Sequence, residues 1–202
     1  LGGNAMIKTN LKQGEAYAAR HSVYLNDSDE ALLIHIVFDL STSVRQIGAF
    51  PIYNGLTPSL KKTIEENPEA RAKVKVAVTC YGEEVEEVSG FVPIYELNED
   101  DICHDMGTTD SAKALDFAFE STRREIEKAQ TQGKRILRSI VFHVTDGLPT
   151  CTTEEMTEVI EKYNAYTSGN GKRRIQIIAA TPSKEAAKRL VYSDQTLLTE
   201  DY

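Results

Sequence analysis

Cysteine is scarce in this chain of 202 residues: Cys80, Cys103 and Cys151 are all there is, and no two form a CxxC pair. That excludes a disulfide framework and a paired-cysteine zinc site, and points to free thiols in a reducing compartment. Long apolar runs are missing too. None approaches the roughly 18 to 20 residues of a membrane span, and no secretory apolar segment opens the chain. Positive charge is in deficit, with 23 Lys and Arg against 31 Asp and Glu, a net −8. An excess of that sign argues against nucleic acid or an anionic membrane as partner. It suits a basic partner, or a site that holds a cation. There is no Walker loop, no GxSxG elbow, no internal repeat and no low-complexity segment. A cytoplasmic protein with one compact domain is the expectation.

What is present is concentrated in Leu32 to Ser43, LLIHIVFDLSTS. A nearly unbroken apolar run reads as a strand buried on both faces. It ends in Asp39, Ser41 and Ser43, three hard oxygens at alternate positions. Strand ends in open α/β sheets are where ligands bind.

Other elements follow in order. Residues 1–29 are expected to form an N-terminal arm with a short strand at HSVYL (His21 to Leu25). Gly-rich Leu1 to Ala5 reads as a remnant ahead of a start at Met6. Residues 30–202 form the domain proper. Ile52, Leu56, Leu60 and Ile64 recur at helix spacing, with a kink or restart at Pro58 capped by Thr57. Val74 to Tyr81 alternates as a strand. Gly82-Glu83 fits a two-residue type II′ hairpin into an antiparallel edge strand guarded by Glu84, Glu86 and Glu87. A long helix is expected over 111–132, with Gly133 just past its end. Leu137 to Thr145 and Ile175 to Ala180 are further buried strands, and helices are expected over 153–168 and 184–190. Val191-Tyr192 is the expected last strand, and Thr196 to Leu198 the start of a last helix. Strands alternating with helices predict a doubly wound, mostly parallel α/β sheet with one antiparallel edge strand and helices on both faces.

Three loops then carry oxygen ligands: Asp39, Ser41 and Ser43; Thr108 and Thr109; and Asp146. In a parallel sheet the loops after strands open on one edge, so these groups can converge. Two carboxylates and three hydroxyls, counting one of the two threonines, describe a hard-cation site, for Mg²⁺ or Mn²⁺. Because hydroxyls replace carboxylates, the ion keeps net positive charge and seeks one more anionic oxygen. A protein partner supplying a Glu or Asp would complete it.

The three segments DLSTS (Asp39 to Ser43), GTT (Gly107 to Thr109) and TDGLPT (Thr145 to Thr150) resemble the metal-ion-dependent adhesion site of von Willebrand factor type A domains. The resemblance covers about 32–192. It is narrower with bacterial intracellular members associated with tellurite resistance, through PIYNGL (Pro51 to Leu56) and TDGLPT. It implies the doubly wound fold, a binding module rather than an enzyme, and metal ligation by Asp39, Ser41, Ser43, Thr109 and Asp146, the last often through water. Thr109 is preferred because Leu115 then falls where the family's next helix places its Leu; Thr108 is the alternative. Thr42 stands where the family commonly has Gly, Val44 where it has Met, and Thr108 takes a Gly position. The family's closing helix is absent or cut short at Tyr202.

Other residues invite plainer readings. His35 and His143 sit mid-strand and are expected to be packed and hydrogen-bonded. His104 lacks the partners of a zinc set. Cys151 reads as a bystander thiol, and Glu99-Asp100-Asp101 as solvated surface. An aspartyl-phosphate enzyme would use Asp39 as nucleophile beside Mg²⁺, but it needs a second Asp two residues on, where Ser41 stands. A scaffold with a degenerate metal site is the remaining alternative.

Overall fold

The computed structural model describes residues 28–98, 100, 102, 104–148, 150–182 and 184–199. The expected arm and its HSVYL strand therefore lie almost wholly outside the described residues.

Six strands form one sheet in the order β3-β2-β1-β4-β5-β6. They are β1 (Glu30–Asp39), β2 (Val74–Tyr81), β3 (Val85–Pro93), β4 (Arg135–Val144), β5 (Ile175–Thr181) and β6 (Gln195–Leu198). All neighbours run parallel except β2 and β3. The helices are α1 (Thr42–Gln46), α2 (Phe50–Glu65), α3 (Pro68–Lys73), α4 (Ser111–Thr131), α5 (Thr153–Ala165) and α6 (Lys184–Ala187). One face of the sheet packs on α4 and α5 through Leu33, Val37, Leu115, Phe119, Val141 and Ile177. The other packs on α1 and α2 through Ile36, Phe38, Val44, Tyr53, Val76 and Val78. The central run of β1 is buried on both faces, as an unalternating apolar strand requires.

Several ends follow the local chemistry. Thr152 and Glu155 form a reciprocal capping box at the start of α5. Gly133, at φ 74°, takes the left-handed position past α4. Asn67 ends one helix and begins another: its side chain accepts from the N–H groups of Glu69 and Ala70, both at 3.1 Å, so α3 starts where only a stop was expected.

Four expectations are corrected. Helix α2 runs unbroken from Phe50 to Glu65 with Pro58 inside it, and Thr57 is buried within it rather than capping a restart. Thr196 to Leu198 belongs to strand β6, pairing in parallel with β5, and is not a helix start. Val191-Tyr192 is not a strand. Asp194 guides the chain instead: its Oδ2 accepts from the Ile177 N–H at 2.8 Å and its own N–H donates to the Ile177 carbonyl at 2.8 Å. Four residues are too few to display a period, so β6 exists only through that pairing.

The fourth correction concerns Gly82. Its φ is not positive, and three residues separate Tyr81 from Val85, so the turn is not type II′. The glycine serves a close approach: a Cβ there would lie 2.3 Å from the Met106 carbonyl oxygen. Glu83 N–H donates to that carbonyl at 2.8 Å, and Asp110 N–H donates to the Gly82 carbonyl at 3.1 Å. Gly82→Ala must push backbone against backbone. It is expected to cost about 1 to 3 kcal/mol, the range for overpacking, read as a lower midpoint in urea unfolding.

Candidate metal centre

Strand order reverses between β1 and β4, because β1 leads outward to β2 while the chain returns through α4 to β4 on its other side. Such a switch point leaves a crevice beyond the strand ends. Asp39 is the last residue of β1, and Phe38 pairs with Val144, so Thr145 and Asp146 emerge beside it.

Asp39 is fully buried and both its oxygens are engaged. Oδ1 accepts from the Ser41 N–H at 3.0 Å and Oδ2 from the Thr145 hydroxyl at 2.7 Å. The Thr145 Oγ1 in turn accepts from the Gly147 N–H at 3.1 Å. Burial raises the Asp39 carboxyl above its ordinary pKa. The bonds from Ser41 and Thr145 oppose that rise, and the charge of Asp146 adds to it. The Ser41 and Ser43 hydroxyls lie 3.1 Å apart. Asp146 is also buried; its Oδ1 accepts from the Leu148 N–H at 3.0 Å, whereas its Oδ2 has no hydrogen-bond partner.

The threonine loop is tied in from both sides. Thr109 is buried, and its carbonyl accepts from the Thr150 N–H at 2.9 Å and from the Thr150 hydroxyl; Thr108 is exposed. Thr42 N–H donates to the Gly107 carbonyl at 2.9 Å, and Met106 N–H to the Leu40 carbonyl at 2.9 Å. Asp105, which sequence reasoning passed over, joins the same loops. Its Oδ1 accepts from the Thr42 hydroxyl at 2.9 Å and the Gly107 N–H at 3.0 Å, and Arg45 pairs with its Oδ2 at 3.1 Å. The Gly107 bond, then the Thr42 bond and the Arg45 charge, hold the Asp105 carboxyl below its ordinary value. The Thr42 hydroxyl thus latches the first loop to the second. Thr145 was also missed, although its place beside Asp146 at a strand end was a usable signal.

All three loops therefore meet at one sheet edge. Among the described residues, neither Asp39 nor Asp146 is ion-paired to a cationic side chain, and no group of three or more His, Cys, Asp or Glu is placed to hold a metal. Two neighbouring buried carboxylates, one with an unpartnered oxygen, make an uncompensated negative site. That residue set fits a hard divalent cation held by Asp39, Asp146 and the hydroxyls of Ser41, Ser43 and Thr109.

The plainer readings concern groups beside this edge. His35 bonds Thr79 Oγ1 at 2.8 Å and Thr122 Oγ1 at 3.3 Å. His143 bonds the hydroxyls of Tyr81 at 2.6 Å and Tyr192 at 2.7 Å. Both are packed core groups, as expected. Burial pushes the Cys151 thiol up, away from the reactive thiolate. Cys103, Glu99 and Asp101 lie outside the described residues.

A six-stranded, mostly parallel sheet with one antiparallel edge and helices on both faces defines a von Willebrand A-like, Rossmann-like fold. Solved structures carry the same fold. Proximal thread matrix protein 1 from the mussel byssus is 15% identical, with a TM-score of 0.57, over 85% of this chain and 44% of that one. The manganese-loaded TRAP protein of Plasmodium vivax is 15% identical, with a TM-score of 0.51, over 82% of this chain and 63% of that one. The chain thus spans less than half the length of the mussel protein. No family model matches the sequence, and no curated protein matches it.

Proposed function

We propose that this chain is a metal-dependent protein-binding module of the von Willebrand A kind. Asp39, Ser41, Ser43, Thr109 and Asp146 hold Mg²⁺ or Mn²⁺, with Thr108 as the alternative to Thr109. The ion supplies a positive centre to which a partner's Glu or Asp carboxylate binds. The observation that carries this reading is the buried Asp146 Oδ2, without a hydrogen-bond partner, beside a second buried carboxylate. An aspartyl-phosphate enzyme needs a second Asp two residues after the nucleophile, where Ser41 stands, and we assign no catalytic role. The same proposal places the chain in the cytoplasm, among tellurite-resistance-associated relatives, on the strength of PIYNGL and TDGLPT. Among the described residues no helix is long and apolar enough to cross a membrane. The PIYNGL segment has a structural task that fits the site: Asn54 accepts from the Ile102 N–H at 3.1 Å, and Tyr53 packs on Phe38 with ring centres 5.4 Å apart. It anchors the chain leading into the Asp105 loop.

Isothermal titration with Mg²⁺ and Mn²⁺ tests the proposal. One site is expected in the wild type and none in Asp39→Ala. No heat from the wild type, or equal affinity in the variant, defeats the metal assignment. Partner capture that survives EDTA defeats the docking mode while leaving the metal site standing.

A further inference from the structure

At the opposite end of the sheet from the candidate metal centre lies a cavity of about 480 Å³. It opens between the start of β4, the start of β5 and the C-terminal part of α4, where Ile126 and Gln130 line it. Its charged lining is all cationic: Arg138, Lys172, Arg173 and Arg174. In a chain of net −8 that is a local reversal of sign.

Local neutralisation does not account for it. Arg173 pairs with Asp194 at 2.8 Å through Nη2, but its Nη1 is buried with no hydrogen-bond partner. Among the described residues, Arg174 meets only neutral groups. Its Nε donates to the Thr167 carbonyl at 3.0 Å, its Nη1 approaches Gln130 Oε1 at 3.5 Å, and the guanidinium lies over the Tyr166 ring. Arg138 and Lys172 are exposed and have no acidic partner among the described residues. The C-terminal end of α4 contributes at most about half a negative charge. Among the described residues, the charges of Arg138, Lys172 and Arg174 are thus left without a balancing ion pair.

We propose that this cavity binds a small phosphorylated anion. Guanidinium groups match phosphate oxygens with forked, charge-assisted hydrogen bonds. Arg138 and Lys172, both exposed and without an acidic partner among the described residues, are the donors within reach of such a ligand. The volume falls in the range of small-molecule sites, roughly 300 to 1,000 Å³, and exposed Leu137 in the lining suits the ligand's carbon skeleton. The site is independent of the metal centre, since it shares no residue or loop with it.

Calorimetric titration of the whole chain with inorganic pyrophosphate, in EDTA and at low ionic strength, tests this. One-to-one binding is expected, weakened about tenfold or more in the double variant Arg138→Gln, Lys172→Gln. Both side chains are exposed, and an unchanged melting temperature certifies the fold; each single variant is expected to show a smaller loss of the same sign. No binding by the wild type overturns the proposal, and so does equal binding by a folded double variant. Binding of a phosphoserine peptide with none of pyrophosphate also overturns it, assigning the cavity to a protein partner instead.

Discussion

Replacing Asp146 by Asn is expected to raise the melting temperature of the metal-free protein and, in the same molecule, to remove its affinity for Mg²⁺. The two effects share one cause. In the metal-free state the Asp146 Oδ2 is buried and unbonded, and the carboxylate charge acts on buried Asp39. An unmet buried polar group costs about 1 to 3 kcal/mol, and more when charged. The amide keeps an oxygen for the Leu148 N–H, now at 3.0 Å, and removes the repulsion. A gain of about 1 kcal/mol corresponds to roughly 2 to 4 °C for a chain of this size. Adding Mg²⁺ at about 100 times its dissociation constant stabilises the wild type by about 2.7 kcal/mol and leaves Asp146→Asn unmoved. Differential scanning calorimetry with and without Mg²⁺ reads both signs. A variant that melts lower than the metal-free wild type would mean that Asp146 is an ordinary structural carboxylate, and the cation reading would lose its main support.

Acid is expected to destabilise this protein well above the pH at which ordinary carboxylates titrate. Burial pushes the imidazoles of His35 and His143 from 6.5 down to about 3. Between those values the unfolded chain binds protons that the folded chain refuses. Stability is therefore complete above about pH 6.5 and falls as pH drops through that window. Each histidine contributes about 1.4 kcal/mol per pH unit, so the pair removes roughly 4 kcal/mol by pH 5. That is a large part of a typical total of about 5 to 15 kcal/mol. Asp39 works with the opposite sign: its raised folded pKa adds stability as pH falls toward 3.8, and so blunts the lower part of the curve. Urea unfolding at pH 7, 6 and 5 is expected to show a slope near two protons between pH 6 and 5, and near one in His35→Gln. A flat profile over that range would mean that both imidazoles accept protons in the folded state.

How much of this was legible beforehand depends on whether the cause was local. The central strands β1, β4 and β5 were readable because burial on both faces leaves a largely apolar run, and β2 because its valines alternate. The long helix α4 was readable because 21 residues give a period time to repeat. The DLSTS, GTT and TDG segments were legible as site material because each places hard oxygens beside a strand end or helix start. Gly82 was misread, because a glycine used for a close approach looks in sequence like a glycine used for a turn. Strand β6 was misread because four residues of Gln, Thr and Leu carry no pattern of their own.

By itself, then, the sequence determined the fold class, the buried strands and the residue types offered at the candidate metal centre, since those depend on composition and periodicity along the chain. Tertiary structure alone decided the rest. It brought Asp146 against Asp39 at the switch point, gave Thr42 and Asp105 their latch, and buried Arg173 Nη1 without a partner at the far end. These are relations between segments remote in sequence, and their free energy comes from burial and charge at contacts that no stretch of chain contains.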